Sequence, residues 1–387
     1  MHHLLPDIQL VMRPGIVELG WGHPDPALLP TEALAQATAL TLADHGAAAL
    51  AYGAEQGPGR LLHALAERLG RVEGVTPPVA QLMITGGTSQ ALAMLCSQLS
   101  RPGDVVLVEA PTYHLALRIF RDYGLHSVMV PGDAQGLHVE TARTLLQMLR
   151  ARGERVAFLY IVSNFGNPTG VSLAPERRYA LATMARHEAL MVIEDDAYGE
   201  LWYDAPPAPA IYNLMPGGPI TRLGSFAKVL APGLRLGWML ADPTLVRRCT
   251  ATGMLDSGGC VNQFTAHIVA TLINQGQLDQ HIANARAIWR SRRNTLLTAL
   301  ARHLPAGCTW HPILGGFFVW VRLPTHLDAA ALLPIAEAAG VSYLPGTRFF
   351  ATGGGHHYLR LSFSLLPPSE LELGIARLSK VLRSARS

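Results

Sequence analysis

Between Gly224 and Gly237 the chain reads GSFAKVLAPGLRLG, which brings a hydroxyl (Ser225), an amine (Lys228), a Pro-Gly turn (Pro232, Gly233) and a guanidinium (Arg235) into fourteen residues. Lys228 stands between Ala227 and Val229, among small and apolar neighbours. An isolated ammonium is costly to bury and tends to lose its proton instead. The neutral amine that results is a nucleophile that condenses with aldehydes, and Ser225 and Arg235 are donor types that hold a phosphate beside it. A phosphorylated aldehyde such as pyridoxal phosphate is the ligand this combination fits. The same stretch also reads as a helix end with ordinary cations whose stems lie on apolar surface.

Other polar clusters stand at the ends of apolar runs. LMIT (82–85) leads into Gly86-Gly87-Thr88-Ser89-Gln90 and then a helical run. A glycine turn opening a helix presents free N–H groups and the positive end of the helix dipole to an anion, although a simply capped helix reads the same way. The spacing is neither G-x-G-x-x-G nor a P-loop, so nucleotide binding is not signalled. DVVLVEA runs into Pro111-Thr112-Tyr113, LHSVMVP makes a further strand, and VAFLYIV (156–162) is apolar throughout, as a central parallel strand should be. Asn164-Phe165-Gly166-Asn167-Pro168-Thr169-Gly170 follows it. A strand over 190–193 ends in Glu194, Asp195, Asp196 and Tyr198. Three adjacent acids repel one another unless a cation lies near. With no His or Cys at ligand spacing, a protonated ring nitrogen suits them better than a metal, and a solvated acidic turn is the plain alternative. Strands alternating with helices build an open, mostly parallel sheet that binds ligands at the carboxyl ends of its strands, and each cluster falls at such an end.

The flanking segments have a different character. Residues 1–30 are rich in Pro and Gly and read as an extended arm in which Gly22 allows close backbone approach to a ligand, or merely a turn. A helix is expected over Thr31–His45 with Thr31 as N-cap, then a turn holding Tyr52, then a helix over Arg60–Leu69. Beyond residue 275 long helices dominate. The seven Arg and His residues of 281–304 read as a solvated face. YLRLSFS (358–364) places Arg360 inside an apolar strand, where it needs an anion, either a structural acid or a substrate carboxylate.

Composition bounds the class. The 387 residues suffice for about two domains, and 49% hydrophobic with 15% charged residues describes a compact globular chain. The net charge of +3 is dispersed, with no basic run of the kind that tracks nucleic acid. Cys96, Cys249, Cys260 and Cys308 are too scattered for a zinc cluster or a disulfide framework, which points to a reducing cytoplasm. No stretch approaches the ~20 apolar residues of a membrane span, and the N-terminus lacks the pattern of a signal peptide.

Taken together, NPTG, EDDAY and SFAKVLAPGLRLG resemble the fold type I pyridoxal-phosphate-dependent aminotransferases of the aspartate aminotransferase superfamily, from about residue 15 to the end. The likeness is nearest to the 2-aminoadipate and aromatic aminotransferase branch, which also supplies the effector domain of MocR-type regulators. It implies an α/β fold: a large cofactor-binding domain (46–275) with a mostly parallel seven-stranded sheet flanked by helices, and a smaller α+β domain built from the arm (1–45) and the C-terminal third (276–387). It implies that Lys228 carries pyridoxal phosphate as a Schiff base and moves the substrate proton, and that Asp195 pairs with the ring nitrogen. Asn167 and Tyr198 would bond the phenolic oxygen, while Gly87, Thr88, Ser89, Ser225 and Arg235 form the phosphate cup. Tyr113 would stack on the ring, Tyr52 would reach a phosphate across a homodimer interface, and Arg360 would clamp the α-carboxylate with Gly22 and Asn167 beside it. The implied reaction transfers the amino group of an L-amino acid to a 2-oxo acid by way of pyridoxamine phosphate.

Three departures from the branch pattern fall on the pocket wall: Ser163 and Gly166 where Pro and Gln are usual, Ser89 where Gln is usual, and DSGGCVNQ at 256–263. They leave the substrate open, with Arg13, Trp21, His114 and His311 as candidate lining residues. They also leave room for a biosynthetic enzyme that diverts the same chemistry to elimination, cyclisation or oxidation. A ligand-sensing regulator would need a winged-helix segment before this domain, where only about thirty arm residues stand.

Overall fold

The computed structural model describes residues 8–385. In chain order the strands are β1 (Val17–Glu18), β2 (Leu82–Thr85), β3 (Val105–Ala110), β4 (His126–Asp133), β5 (Gly136–Leu137), β6 (Val156–Val162), β7 (Met191–Asp195), β8 (Ile220–Ser225), β9 (Gly237–Leu240), β10 (Phe318–Arg322), β11 (Val341–Ser342), β12 (Leu344–Pro345) and β13 (Tyr358–Ser362). The large sheet has the order β2-β9-β8-β7-β6-β3-β4-β5. From β8 through β4 neighbours are parallel, and β9 runs antiparallel to both β2 and β8. The seven expected strands are met by setting aside β5, a two-residue hairpin partner of β4. Strand order reverses at the β3–β6 pair, since the chain proceeds outward through β4 and returns on the other side to β6, β7 and β8. Loops leaving the two sides diverge there and open a crevice at the carboxyl ends.

The C-terminal third builds a three-stranded antiparallel sheet, β10-β13-β12, and the arm is sewn onto it. β1 pairs in parallel with β11, the Leu19 N–H donates to Ser342 O at 3.0 Å, and the Ser362 N–H donates to Leu19 O at 2.7 Å. These bonds hold residues 20–23 across the mouth of the crevice, so an arm with almost no regular structure still has a fixed path.

Three local expectations need correction. Thr31 is the first helical residue after Pro30 and makes no capping bond. The next helix runs over Gly59–Glu73, beyond the 60–69 expected, because Gly74 ends it in the left-handed conformation. The helix expected at 281–304 spans Gln277–His303, and its arginines are not all solvated. Arg292 is buried on Asp25 (2.5 Å) and Ser364 O (2.9 Å), and Arg293 on Asp204 (2.6 Å) and Ile313 O (2.7 Å). Their partners come from the arm and from loops far away in sequence, which periodicity within one helix cannot reveal. Among the described residues no helix is long and apolar enough to cross a membrane, and no cluster of His, Cys, Asp or Glu has the makings of a metal site.

Candidate active site

A cavity of about 1190 Å³ lies where the carboxyl ends of β6, β7 and β8 meet the arm and β13. Its lining includes Gly22, Gly87, Thr88, Ser89, Tyr113, Asn167, Asp195, Tyr198, Ser225, Lys228, Arg235 and Arg360. Twelve of the thirteen site residues expected from sequence therefore surround one space.

At one end stands the helix Thr88–Leu99, with Gly87 (φ +87°) as its N-cap and no side chain closing it. Thr88 and Ser89 supply the first turn, where backbone N–H groups lack intrahelical partners. Arg235, itself left-handed (φ +47°), lays its guanidinium over this turn, and a Cβ on Gly87 would sit 3.1 Å from Nη2. Its bonds are long ones to Gly86 O (3.4 Å) and Pro232 O (3.3 Å), with no acidic partner among the described residues. Ser225 Oγ accepts the Ala227 N–H at 3.1 Å and keeps its own proton to donate. Helix N-terminus, hydroxyl and unpaired guanidinium together make a cradle for a dianionic phosphate.

The acidic run at the end of β7 divides because successive side chains alternate and the chain turns. Glu194 points away, accepting from Ser163 Oγ (2.8 Å) and from the N–H groups of Ile211 and Tyr212 (both 2.9 Å). Asp196 pairs with Arg222 (2.6 Å) and accepts from Asn164 (2.7 Å). Of the three acids, Asp195 is the one on the cavity. Its Oδ2 accepts from Tyr160 Oη at 2.7 Å and its Oδ1 from the Ala197 N–H at 3.3 Å. Burial nevertheless pushes the carboxyl up to about 6. A buried carboxylate in this condition suits a protonated ring nitrogen.

Lys228 reaches Gly22 O at 3.3 Å. Burial, with Arg360 and Arg235 adding repulsion against the attraction of Asp195, lowers its amine to about 8. Gly22 admits no side chain, since a Cβ there would fall 2.6 Å from the Phe318 ring. Arg360 donates to Asn167 Oδ1 (2.8 Å) and Gly20 O (2.5 Å), stacks 4.1 Å above Phe318, and leaves Nε buried without a partner. No described acid lies within ion-pair distance, which removes the structural-acid explanation. Its hydrogen-bond partners are neutral, and burial, with repulsion from Arg348, lowers its pKa to about 10. Asn167 also bonds Tyr198, whose phenol burial holds well above its ordinary value. Burial likewise moves the Tyr113 phenol up to about 12.

Tyr52 is the exception. It is 89% exposed, lies beside Gly258 and is absent from the cavity wall. Of the four pocket candidates, Arg13, Trp21 and His114 line the cavity and His311 does not. Sequence reading missed Tyr160, Phe318, His23 and Arg348. Tyr160 carried a usable signal, because a phenol within the apolar run VAFLYIV must find a buried partner.

The groups present thus fit pyridoxal phosphate: a phosphate cradle, a buried carboxylate with no ion-pair partner among the described residues, an amine of lowered pKa and a guanidinium with a free buried N–H. Comparison with known proteins agrees. Residues 14–378 match the family model described as aminotransferase class I and II. The chain is 35% identical over 377 residues to aromatic-amino-acid aminotransferase 1 of Thermococcus litoralis, covering 97% of this chain and 90% of that one. Its structure matches the multiple substrate aminotransferase of Thermococcus profundus with TM-score 0.92 at 33% identity, covering 97% and 93% of the two chains. The α-aminoadipate aminotransferase of Thermus thermophilus, solved with N-(5'-phosphopyridoxyl)-L-leucine, matches with TM-score 0.86 at 32% identity over 96% and 93%. The chain belongs to the class I and II aminotransferases, enzymes dependent on pyridoxal phosphate.

Proposed function

We propose that Lys228 holds pyridoxal phosphate covalently, and that the enzyme moves the amino group of an L-amino acid to a 2-oxo acid with Arg360 clamping the α-carboxylate of each. The observation that carries this reading is the joint lack of acidic partners at Arg235 and Arg360, on one cavity with a lysine of lowered pKa. When bound, the cofactor supplies a ring that accepts the charge left when a proton leaves the substrate Cα. Asp195, steadied by Tyr160, would keep the ring nitrogen protonated. Asn167 and Tyr198 would hold the phenolic oxygen, Tyr113 would lie on the ring face, and the Gly87–Ser89 turn with Ser225 and Arg235 would grip the phosphate. Clamping the carboxylate orients the Cα–H bond, and Lys228, whose lowered pKa of about 8 brings the neutral amine within reach near neutral pH, would take the proton.

The reading extends to assembly. Tyr52 would serve the phosphate of a second protomer in a homodimer, and exposed Leu50 and Met254 would be covered by the same contact. Residues 46–275 would carry the cofactor, with the arm and residues 276–387 as the smaller domain. The four free cysteines support a reducing, cytoplasmic setting.

Borohydride reduction of the protein mixed with pyridoxal phosphate, followed by peptide mass analysis, tests the reading. The expected adduct sits on Lys228, and in a separate, unreduced sample the absorbance should change with an amino donor and return with a 2-oxo acid. No adduct, or a change that needs no 2-oxo acid to reverse, would exclude amino transfer by this site.

A further inference from the structure

The arm crosses the crevice on a row of its own carbonyls. Gly20 O accepts from Arg360 (2.5 Å), Gly22 O from Lys228 (3.3 Å) and His23 O from Ser364 Oγ (2.7 Å). Ser364 has one proton to give and gives it to His23, so Ser362 Oγ, 3.0 Å away, is the donor between the two hydroxyls. Two residues beyond His23, Asp25 takes Arg292 Nη2 on one oxygen (2.5 Å) and the Ala27 N–H on the other (2.9 Å). Pro24 between them holds His23 to extended backbone. Arg292 Nη1 donates to Ser364 O (2.9 Å), which also accepts from Trp289 Nε1 (3.1 Å). One guanidinium therefore grips both the arm and the residue whose hydroxyl holds the arm. Arg292 and Ser364 are buried, and neither they nor Asp25 line the cavity.

We propose that Arg292 is a positioning residue for Lys228, acting from outside the cavity: through Asp25 and Ser364 it keeps residues 22–25 closed over the amine, so that Gly22 O meets it and water stays out. The proposal rests on the assignment of Lys228 as the cofactor lysine and proton carrier. A buried ion pair adds little stability over apolar packing of the same shape, whereas its geometry fixes where the arm runs. Closure matters to the amine because burial is the leading cause of its lowered pKa of about 8, with Arg360 and Arg235 adding repulsion and Asp195 opposing them. The arm itself contributes His23, which burial and the nearby Lys228 and Arg360 push down to about 4, so it stands uncharged near neutrality. A strap that slackens admits water, and the midpoint of the amine then rises. Withdrawal of Gly22 O pulls the other way, by the smaller effect of one long hydrogen bond.

Covalent uptake of pyridoxal phosphate by the apo-protein, followed by stopped-flow absorbance against pH, tests the role without relying on turnover. The aldehyde's own titration is common to all variants and cancels in the comparison. Arg292→Leu should raise the midpoint by about one pH unit, toward the ordinary lysine value. Arg292→Lys, which keeps a charge on Asp25, should bring it back part of the way. Ser364→Ala removes only the bond to His23 O and should raise the midpoint by roughly half a unit, so it carries the test if Arg292→Leu fails to fold. Thermal melting of the same samples separates position from stability. A lower Tm with midpoints within about 0.2 units of the unaltered protein would overturn the proposal, as would a midpoint that falls. Borohydride trapping separates the two readings. An adduct on Lys228 with unmoved midpoints refutes the positioning role alone, whereas no adduct in the unaltered protein refutes the cofactor assignment and the positioning role with it.

Discussion

Two of the buried arginines, Arg222 and Arg360, have surroundings that differ in kind. Arg222 on β8 donates to both oxygens of Glu73 (2.7 and 2.8 Å) and to Asp196 (2.6 and 3.0 Å), with its guanidinium 5.3 Å from the Trp238 ring centroid. Burial alone would lower its pKa, but these acids outweigh burial and hold it well above the ordinary arginine value. Arg360 on β13 has an amide oxygen, a carbonyl and an aromatic face, and burial wins. The first region neutralises its own charge and serves as a strut. The second is completed only by an anion from outside, and that lack marks a receptor more clearly than burial does.

The largest effect on the receptor side belongs to the residue beside the clamp. Lys228→Ala should abolish covalent cofactor attachment and lower kcat by about 10⁴-fold, the upper range for loss of a positioned acid–base group. Absorbance and turnover check it, and retention of more than a hundredth of the activity would dissociate Lys228 from the chemistry.

The two arginines should then fail in opposite ways. Arg360→Gln should cost about 10²- to 10³-fold in kcat/KM, as expected when one partner of a buried charge pair is truncated, with little loss of thermal stability. Arg222→Met leaves Glu73 and Asp196 facing each other without a cation, and should lower Tm by about 5 °C while KM stays near its original value. If the stability loss appeared at Arg360 and the kinetic loss at Arg222, the contrast drawn from their partners would be wrong.

Sequence made the receptor legible because its parts stand at strand ends as recognisable clusters: NPTG after β6, EDDAY after β7 and SFAKVLAPGLRLG after β8. The alternation of apolar runs with helices fixed the order of those ends, and with it the parallel sheet. What stayed hidden was pairing across long separations. Nothing near Arg222 in sequence points to Glu73, and nothing near Arg292 points to Asp25, since each partner arrives from an element more than a hundred residues away. The division of Glu194, Asp195 and Asp196 was hidden because tertiary partners outside the acidic run, Arg222 and the N–H groups at 211–212, claim two of the three. Arg348 lacked any local signal, as one exposed arginine in a turn looks like another.

Titration sharpens the contrast further. The neutral amine is the form that attacks an aldehyde, so covalent uptake of pyridoxal phosphate by the apo-protein should rise about tenfold per pH unit and level off near the lowered Lys228 value of about 8. An unperturbed lysine would keep gaining to 10.5. Stopped-flow absorbance across this range checks it, and a rise continuing past about pH 9.5 would show that Lys228 is solvated and not held under the pressure of Arg360 and Arg235.

The smallest expected change tests how Asp195 is prepared for its partner. The Tyr160 hydroxyl donates to the ionised carboxylate, so it opposes burial, and without it the Asp195 pKa should climb further above about 6. In Tyr160→Phe a larger fraction of Asp195 is then protonated at neutral pH, and a protonated acid cannot balance a charged ring nitrogen. Loss of one hydrogen bond to a charged group should weaken cofactor affinity roughly tenfold at pH 7, more at pH 6 and less at pH 8. A deficit that did not vary with pH would assign Tyr160 to packing between β6 and β7. The predicted dependence would show that the cavity keeps Asp195 ionised with a phenol where the region around Arg222 uses a cation, leaving the carboxylate's charge available to a ligand.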